Sequence, residues 1–260
     1  MPYHSSVPGR IQSVERAAAI LKLLASGRRL GVVDVAKYLN LPKGTVHGIL
    51  STLQEVGFVE QERLTAKYQL GASLLHLGNS YLDVNELRTR AINWADSLAS
   101  RSREAVQIGT LHDAQVLIVH HVFRPDDSIQ SLEVGAFLPL HATALGKVLL
   151  ANDAEVAGVE YHDITKKYTE RTLVDPRRVK AELAKVLKQG WAGEVSELLD
   201  GEAAIAAPIH DDRNITVGAI GIRGAVERLC LADLSLKSEM VSFVRDAARA
   251  VSRDLGADRW

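Results

Sequence analysis

Apolar residues recur every three or four positions over Val14, Ala17, Ala18, Leu21 and Leu24, which predicts a first helix capped by Ser13 and ending near Gly27. "VVDVAKYLN" repeats the pattern, with Val32, Val35, Ala36 and Leu39 facing inward. "LNLP" then turns the chain, and Pro42 suits the first turn of a third helix, where its missing N–H is harmless. That helix buries Val46, Ile49, Leu50 and Leu53 and stops at Gly57. Two short β-runs, "FVEQ" and "KYQL", flank the polar turn "ERLTA". Three helices and a hairpin in about sixty residues make a winged helix-turn-helix, whose third helix enters the DNA major groove.

A connecting helix follows. Its stripe of Leu74, Leu77, Tyr81, Val84 and Leu87 needs a partner within or between subunits. Beyond it, "AVQIGTL" and "VLIVHHV" flank "HDAQ" as a hairpin, and "IQSLEV" reads as a third strand. "HATALGKVLLA" precedes a helix with clear signals at Asp175-Pro176 and Gly190. "WAGEVS", "AAIAAPIH" and "ITVGAIGIRG" read as strands, the last two joined by "DDRN". A final helix carries Leu234, Val241, Val244 and Ala248. The fold class expected is α+β: a winged helix-turn-helix over residues 1–72, a linker helix over 73–90 and an antiparallel sheet with helices over 91–260.

Charge sharpens this division. Residues 1–72 hold nine Lys and Arg against five Asp and Glu, a net +4, while the remainder is at −5. A basic head on an acidic body suits a polyanionic partner. No apolar run is long enough to span a membrane, and "MPYHSSVPGR" lacks the apolar core of a signal peptide, so the expected location is the cytoplasm. Cys230, the single cysteine, allows no internal disulfide and reads as a small buried hydrophobe.

The third helix carries an oddity. At 100° per residue, Gly44, Gly48, Ser51 and Glu55 lie opposite the core stripe, flanked by Thr45, His47 and Thr52. A helical Gly costs about 1 kcal/mol against Ala. Either the bare face lets DNA approach the backbone, with Lys43, Thr45, His47 and Ser51 supplying contacts, or it seats another helix of the protein. In the second half, Thr143 is placed to cap "ALGKVLLA", leaving N–H groups at Ala144, Leu145 and Gly146 for an anion. The alternative is a cap with no ligand.

"SVERAAAILKLLA", "VVDVAKYLNLPKGTVHGILSTLQEVGFVEQ" and "YQLG" resemble the N-terminal domain of the IclR (isocitrate lyase regulator) family. "LPLHATALGKVLLA" and "GWAGEVSELLDGEAAIAAPIHDD" are similar to that family's effector-domain segments. The family pattern has Ser and Arg where this chain has Gly44 and Gly48, so its DNA contacts carry over to Lys43 and Thr45. The resemblance implies a GAF-like ligand-sensing fold, binding to double-stranded operator DNA, and a homodimer or homotetramer. It maps ligand contacts to Ala144, Leu145, Glu194 and Ala204, and Leu138 and Ile205 are candidate walls. Glu194 stands where Asp or Ser is usual. It is either an acceptor for ligand hydroxyls or a solvated surface carboxylate.

"KGTVHGIL", "VLIVHHVFRPDDS", "HATALGKVL" and "GAVERLC" are similar to family members that govern glycerol catabolism. They imply glycerol 3-phosphate as the small-molecule effector. Regulation of aromatic-acid or other small-acid catabolism is the alternative. No cofactor, metal or catalytic residue is expected. Gly-rich phosphate loops, G-x-S-x-G and H-E-x-x-H are missing from the sequence. His120 and His121 alternate faces of a strand, His141 lacks a ligand partner at suitable spacing, and Ser196 has no identifiable base.

Overall fold

The computed structural model describes residues 11–83, 86–153 and 166–257 of the chain. It forms two compact units, Met1–Val84 and Asn85–Trp260.

In the first unit, helices α1 (Gln12–Leu24), α2 (Val32–Leu39) and α3 (Lys43–Glu55) precede a hairpin of β1 (Val59–Gln61) and β2 (Tyr68–Leu70), and helix α4 (Ser73–Asp83) follows it. Ile20, Leu24, Val35, Val46, Leu50, Leu53 and Val59 form one core, closed by Tyr68, and Ile49 is half-buried against it. The α2–α3 turn is short because Asn40 takes the left-handed conformation at φ 50° and Pro42 stands at the start of α3. The Ser13 cap is not made. Ile11 precedes α1 without a side-chain cap, and Ser13 falls inside the first turn.

The expected linker, residues 73–90, spans α4, residues 84–85 outside the described set, and the start of α5 (Glu86–Ser102). Leu74 on α4 is half-buried, while Leu77 and Tyr81 are each 51% exposed. Leu87 on α5 is buried, and Val84 lies outside the described residues.

The second unit is built on a six-stranded antiparallel sheet. Its strands are β3 (Ala105–His112), β4 (Gln115–Val122), β5 (Phe137–Leu138), β6 (Ala192–Val195), β7 (Glu202–His210) and β8 (Thr216–Ala225), in the order β5-β4-β3-β8-β7-β6. Asp113 and Ala114 both have positive φ (47° and 58°), giving the two-residue turn that matches strand twist. Helix α6 (Ala144–Asn152) and α7 (Pro176–Gln189) follow β5, and α8 (Val226–Leu229) and α9 (Ser238–Asp254) end the chain. Asp175 caps α7 by accepting from Arg177 N–H at 2.8 Å, and Gly190 ends it at φ 74°.

Strand alternation distributes the helices. On β8, Ala219 joins α6 in one core cluster, while the space beside Gly218 is filled by Leu87 of α5. Helices α6 and α5 thus cover opposite faces. Trp94 Nε1 of α5 donates to Asp254 of α9 at 2.7 Å. Cys230 is buried, as expected.

Two expectations fail here. "IQSLEV" is not a strand. The Gln130 side chain accepts from Arg124 N–H at 2.7 Å and donates to Arg124 O at 3.0 Å, and Glu133 N–H donates to the His121 ring Nδ1 at 3.2 Å rather than to a strand carbonyl. Leu234 is not on the final helix. It lies at φ 64° in the turn before α9, which starts at Ser238.

Candidate functional sites

On α3, Lys43, Gly44, His47, Gly48 and Ser51 are exposed and Thr45 is half-buried. A Cβ added at Gly44 or Gly48 would meet nothing within 4 Å. Among the described residues of the first unit, no helix seats against that face. Thr52 Oγ1 donates to Gly48 O at 3.1 Å, tying up the Thr52 hydroxyl. No acidic side chain stands in the first turn of α3. Arg63 and Lys67 are exposed on the hairpin beside it, and Leu64 at its tip is 96% exposed.

The second site lies under the start of α6. Strand register sets Glu194 of β6 opposite Ala204 of β7, and Ala204 opposite Arg223 of β8. Gln107 of β3 lies opposite Gly221 of β8, one row along. The floor therefore has an acid at one side, a base at the other, and small residues between them. Thr143, Ala144, Leu145 and Leu138 close it, with Ile205, Ile222 and Leu198 completing the wall. All seven sequence-derived ligand positions, Leu138, Thr143, Ala144, Leu145, Glu194, Ala204 and Ile205, line this single cavity. Its volume is about 20 Å³, room for roughly one water.

The chemistry of the lining departs from the sequence reading at Gly146 and removes one of its two alternatives for Glu194. Thr143 Oγ1 accepts from Gly146 N–H at 3.0 Å and donates to Pro139 O at 2.7 Å. The cap thus consumes the Gly146 N–H that was expected to be free. Gly146 also packs against the Leu140 backbone, with no room for a Cβ. Ala144 and Leu145 keep the helix-start role. Glu194, in turn, is not a surface carboxylate. It is 3% exposed, and its Oε2 accepts from Glu197 N–H at 2.9 Å. Burial raises its pKa to about 7, helped by the Glu197 carboxylate and opposed by the Glu197 N–H, Lys147 and Arg223. Beside it, the buried Lys147 ammonium donates to Glu197 Oε1 at 2.6 Å and to Gly193 O at 3.2 Å. Lys147 bonds one carboxylate, Glu197, and acts on Glu194 only through space, so burial remains the dominant influence on the Glu194 proton.

Arg223, Gln107, Gly221, Leu198 and Ile222 were not anticipated. Arg223 reads locally as the polar end of "ITVGAIGIRG"; only the long-range register of β6, β7 and β8 sets it in line with Glu194. Its Nε donates to Glu202 Oε2 at 2.5 Å and its Nη1 to Glu133 Oε1 at 3.2 Å. Gln107 Nε2 donates to the other Glu133 oxygen. On the far side of Gln107 and Arg223 opens a groove of about 440 Å³ that also holds His121, Gln130 and Glu133.

A helix-turn-helix whose third helix is open on its outer face, joined in one chain to a sheet-and-helix unit with a small, mostly apolar cavity reached by Thr143, Glu194, Gln107 and Arg223, is the architecture of a DNA-binding transcriptional regulator with a small-molecule-binding unit. Residues 13–63 match the IclR helix-turn-helix domain and residues 79–253 the bacterial transcriptional regulator IclR C-terminal domain; the chain belongs to the IclR family. It is 57% identical over 251 residues to the glycerol operon regulatory protein of Streptomyces coelicolor and 55% identical over 251 to that of Streptomyces griseus. Each match spans 96% of this chain and 98% of the relative. Among solved structures, an IclR-type regulator from Alicyclobacillus acidocaldarius shares the fold with a TM-score of 0.79 at 24% identity, covering 95% of this chain and 98% of that one. An IclR homologue from Microbacterium hydrocarbonoxydans, complexed with 4-hydroxybenzoate, gives 0.77 at 21% identity, covering 94% and 99%.

Proposed function

We propose that this regulator controls a glycerol-catabolism operon from the cytoplasm and that glycerol 3-phosphate is its effector. The observation that carries the effector reading is the row Arg223–Ala204–Glu194, which offers a cation at one side and a proton-sharing carboxyl at the other across a small floor residue. Glycerol 3-phosphate has the complementary polarity, an anion at one end and hydroxyls at the other. Ala144 and Leu145 add helix-start N–H donors, worth about half a charge, where Arg223 supplies a full one. Half-protonated near pH 7, Glu194 can accept from a hydroxyl or donate to it, and it repels a phosphate less than a full carboxylate would. The glycerol-operon relatives, similar along nearly the whole chain, support the operon part of the reading.

For operator DNA, the reading assigns backbone approach to Gly44 and Gly48, a phosphate contact to Lys43, and polar contacts to Thr45, His47 and Ser51. We assign the exposed α4 stripe to an interface in a homodimer or homotetramer, and no catalytic step to the protein. The test is calorimetry of the full chain with glycerol 3-phosphate, glycerol and 4-hydroxybenzoate, followed by operator titration with and without the tightest of them. Glycerol 3-phosphate should bind tightest and shift operator affinity. Tighter binding of glycerol or 4-hydroxybenzoate overturns the effector assignment.

A further inference from the structure

Arg223 and Gln107 are the two residues shared by the closed cavity and the outer groove. They come from neighbouring strands, β8 and β3, and their N–H donors converge on the carboxylate of Glu133. Two donors from separate strands aimed at one carboxylate make a formed anion site. Here the chain itself fills it. The remaining Arg223 contact, Nε to Glu202, fixes the plane of the guanidinium without using Nη1.

Glu133 can leave without disturbing the sheet. Its own segment makes no regular strand; it is tied to β4 through the Glu133 and Gly135 N–H groups, which donate to His121 Nδ1 (3.2 Å) and Ile118 O (2.8 Å). The Glu133 side chain is partly exposed, so a swing outward moves its charge into water rather than into the core. The cavity of about 20 Å³ is meanwhile too small for a polyol phosphate, while the groove beyond Arg223 and Gln107 measures about 440 Å³.

We infer that Glu133 is an internal stand-in for the effector's anion, a latch that closes the cavity on Arg223 and Gln107 and is displaced when an external phosphate or carboxylate takes its place. This rests on the cavity being the effector site and adds the charge class the site selects. A neutral polyol cannot compete for Arg223, so the latch discriminates glycerol from its phosphate.

The experiment is calorimetry on the full chain with inorganic phosphate, glycerol 3-phosphate and glycerol, for wild type, Glu133→Gln, Arg223→Gln and Ala204→Leu, with melting temperatures as the fold control. Glu133→Gln should bind inorganic phosphate about tenfold tighter than wild type, whatever the natural effector is. The double variant Glu133→Gln/Arg223→Gln should lose that gain. A Glu133→Gln variant that binds inorganic phosphate no better than wild type overturns the latch, as does a double variant that keeps the gain. Failure of the cavity reading is a separate result: Ala204→Leu, which fills the floor, would then bind glycerol 3-phosphate as wild type does.

Discussion

Replacing Glu194 by Gln tests the buried charge cluster directly. Burial raises the Glu194 pKa from an ordinary 4.5 to about 7. The folded unit therefore holds a proton that the unfolded chain releases. The folded pKa lies above the unfolded one, so this contribution is fully present below about pH 4.5 and is lost as pH rises through 7. A shift of about 2.5 units at 1.36 kcal/mol each corresponds to about 3 kcal/mol across the whole range, of which roughly 2 kcal/mol falls between pH 5.5 and 8. Gln is neutral at every pH, and its carbonyl can still accept from Glu197 N–H. The assay is urea unfolding of both proteins at pH 5.5 and 8, followed by tryptophan fluorescence. The three tryptophans, Trp94, Trp191 and Trp260, all lie beyond residue 84 in the sequence, so the first unit contributes no tryptophan signal. Glu194→Gln should gain about 2 kcal/mol relative to wild type on going from pH 5.5 to 8. Parallel pH profiles for the two proteins would refute the argument that Glu194 is held protonated by burial.

Three further outcomes are expected. Gly48→Leu should abolish operator binding while leaving the melting temperature of the first unit unchanged or higher, because its new side chain points into open space; anisotropy showing affinity within twofold of wild type would sink the close-approach reading. Lys43→Ala should weaken binding to all sequences alike and reduce the slope of log affinity against log salt by about one, measured by titration at four salt concentrations. Leu77→Glu on the exposed α4 stripe should lower the oligomeric state, read by light scattering, and a wild type that is already monomeric at micromolar concentration contradicts the interface assignment.

Local signals were legible wherever one residue has one structural use. Asp175-Pro176 and Gly190 bracket α7 as read, and "LNLP" turns between α2 and α3 because Asn40 accepts a positive φ. "IQSLEV" misled because polar–apolar alternation is necessary for a half-buried strand and not sufficient. The Gln130 side chain bonds the Arg124 backbone, Glu133 N–H donates to the His121 ring, and Ile129 and Leu132 stay exposed. Ser13 failed as a cap because α1 begins one residue before it. For the cavity under the start of α6, Thr143, Glu194 and Ala204 were accessible through resemblance and cap chemistry. Arg223, Gln107 and Glu133 were not: Gln107 and Arg223 meet through the pairing of β3 with β8, more than a hundred residues apart in sequence, and Glu133 reaches them from an irregular segment.

The row Arg223–Ala204–Glu194 has a bearing on how such regulators diversify. Its three side chains stand on strands whose pairing is made by backbone groups and does not depend on their identity. Exchanging either end, or enlarging the middle, leaves the hydrogen-bond ladder intact. With the row as the effector site we propose, a descendant gene acquires a new ligand preference through two or three codon changes while inheriting the same scaffold.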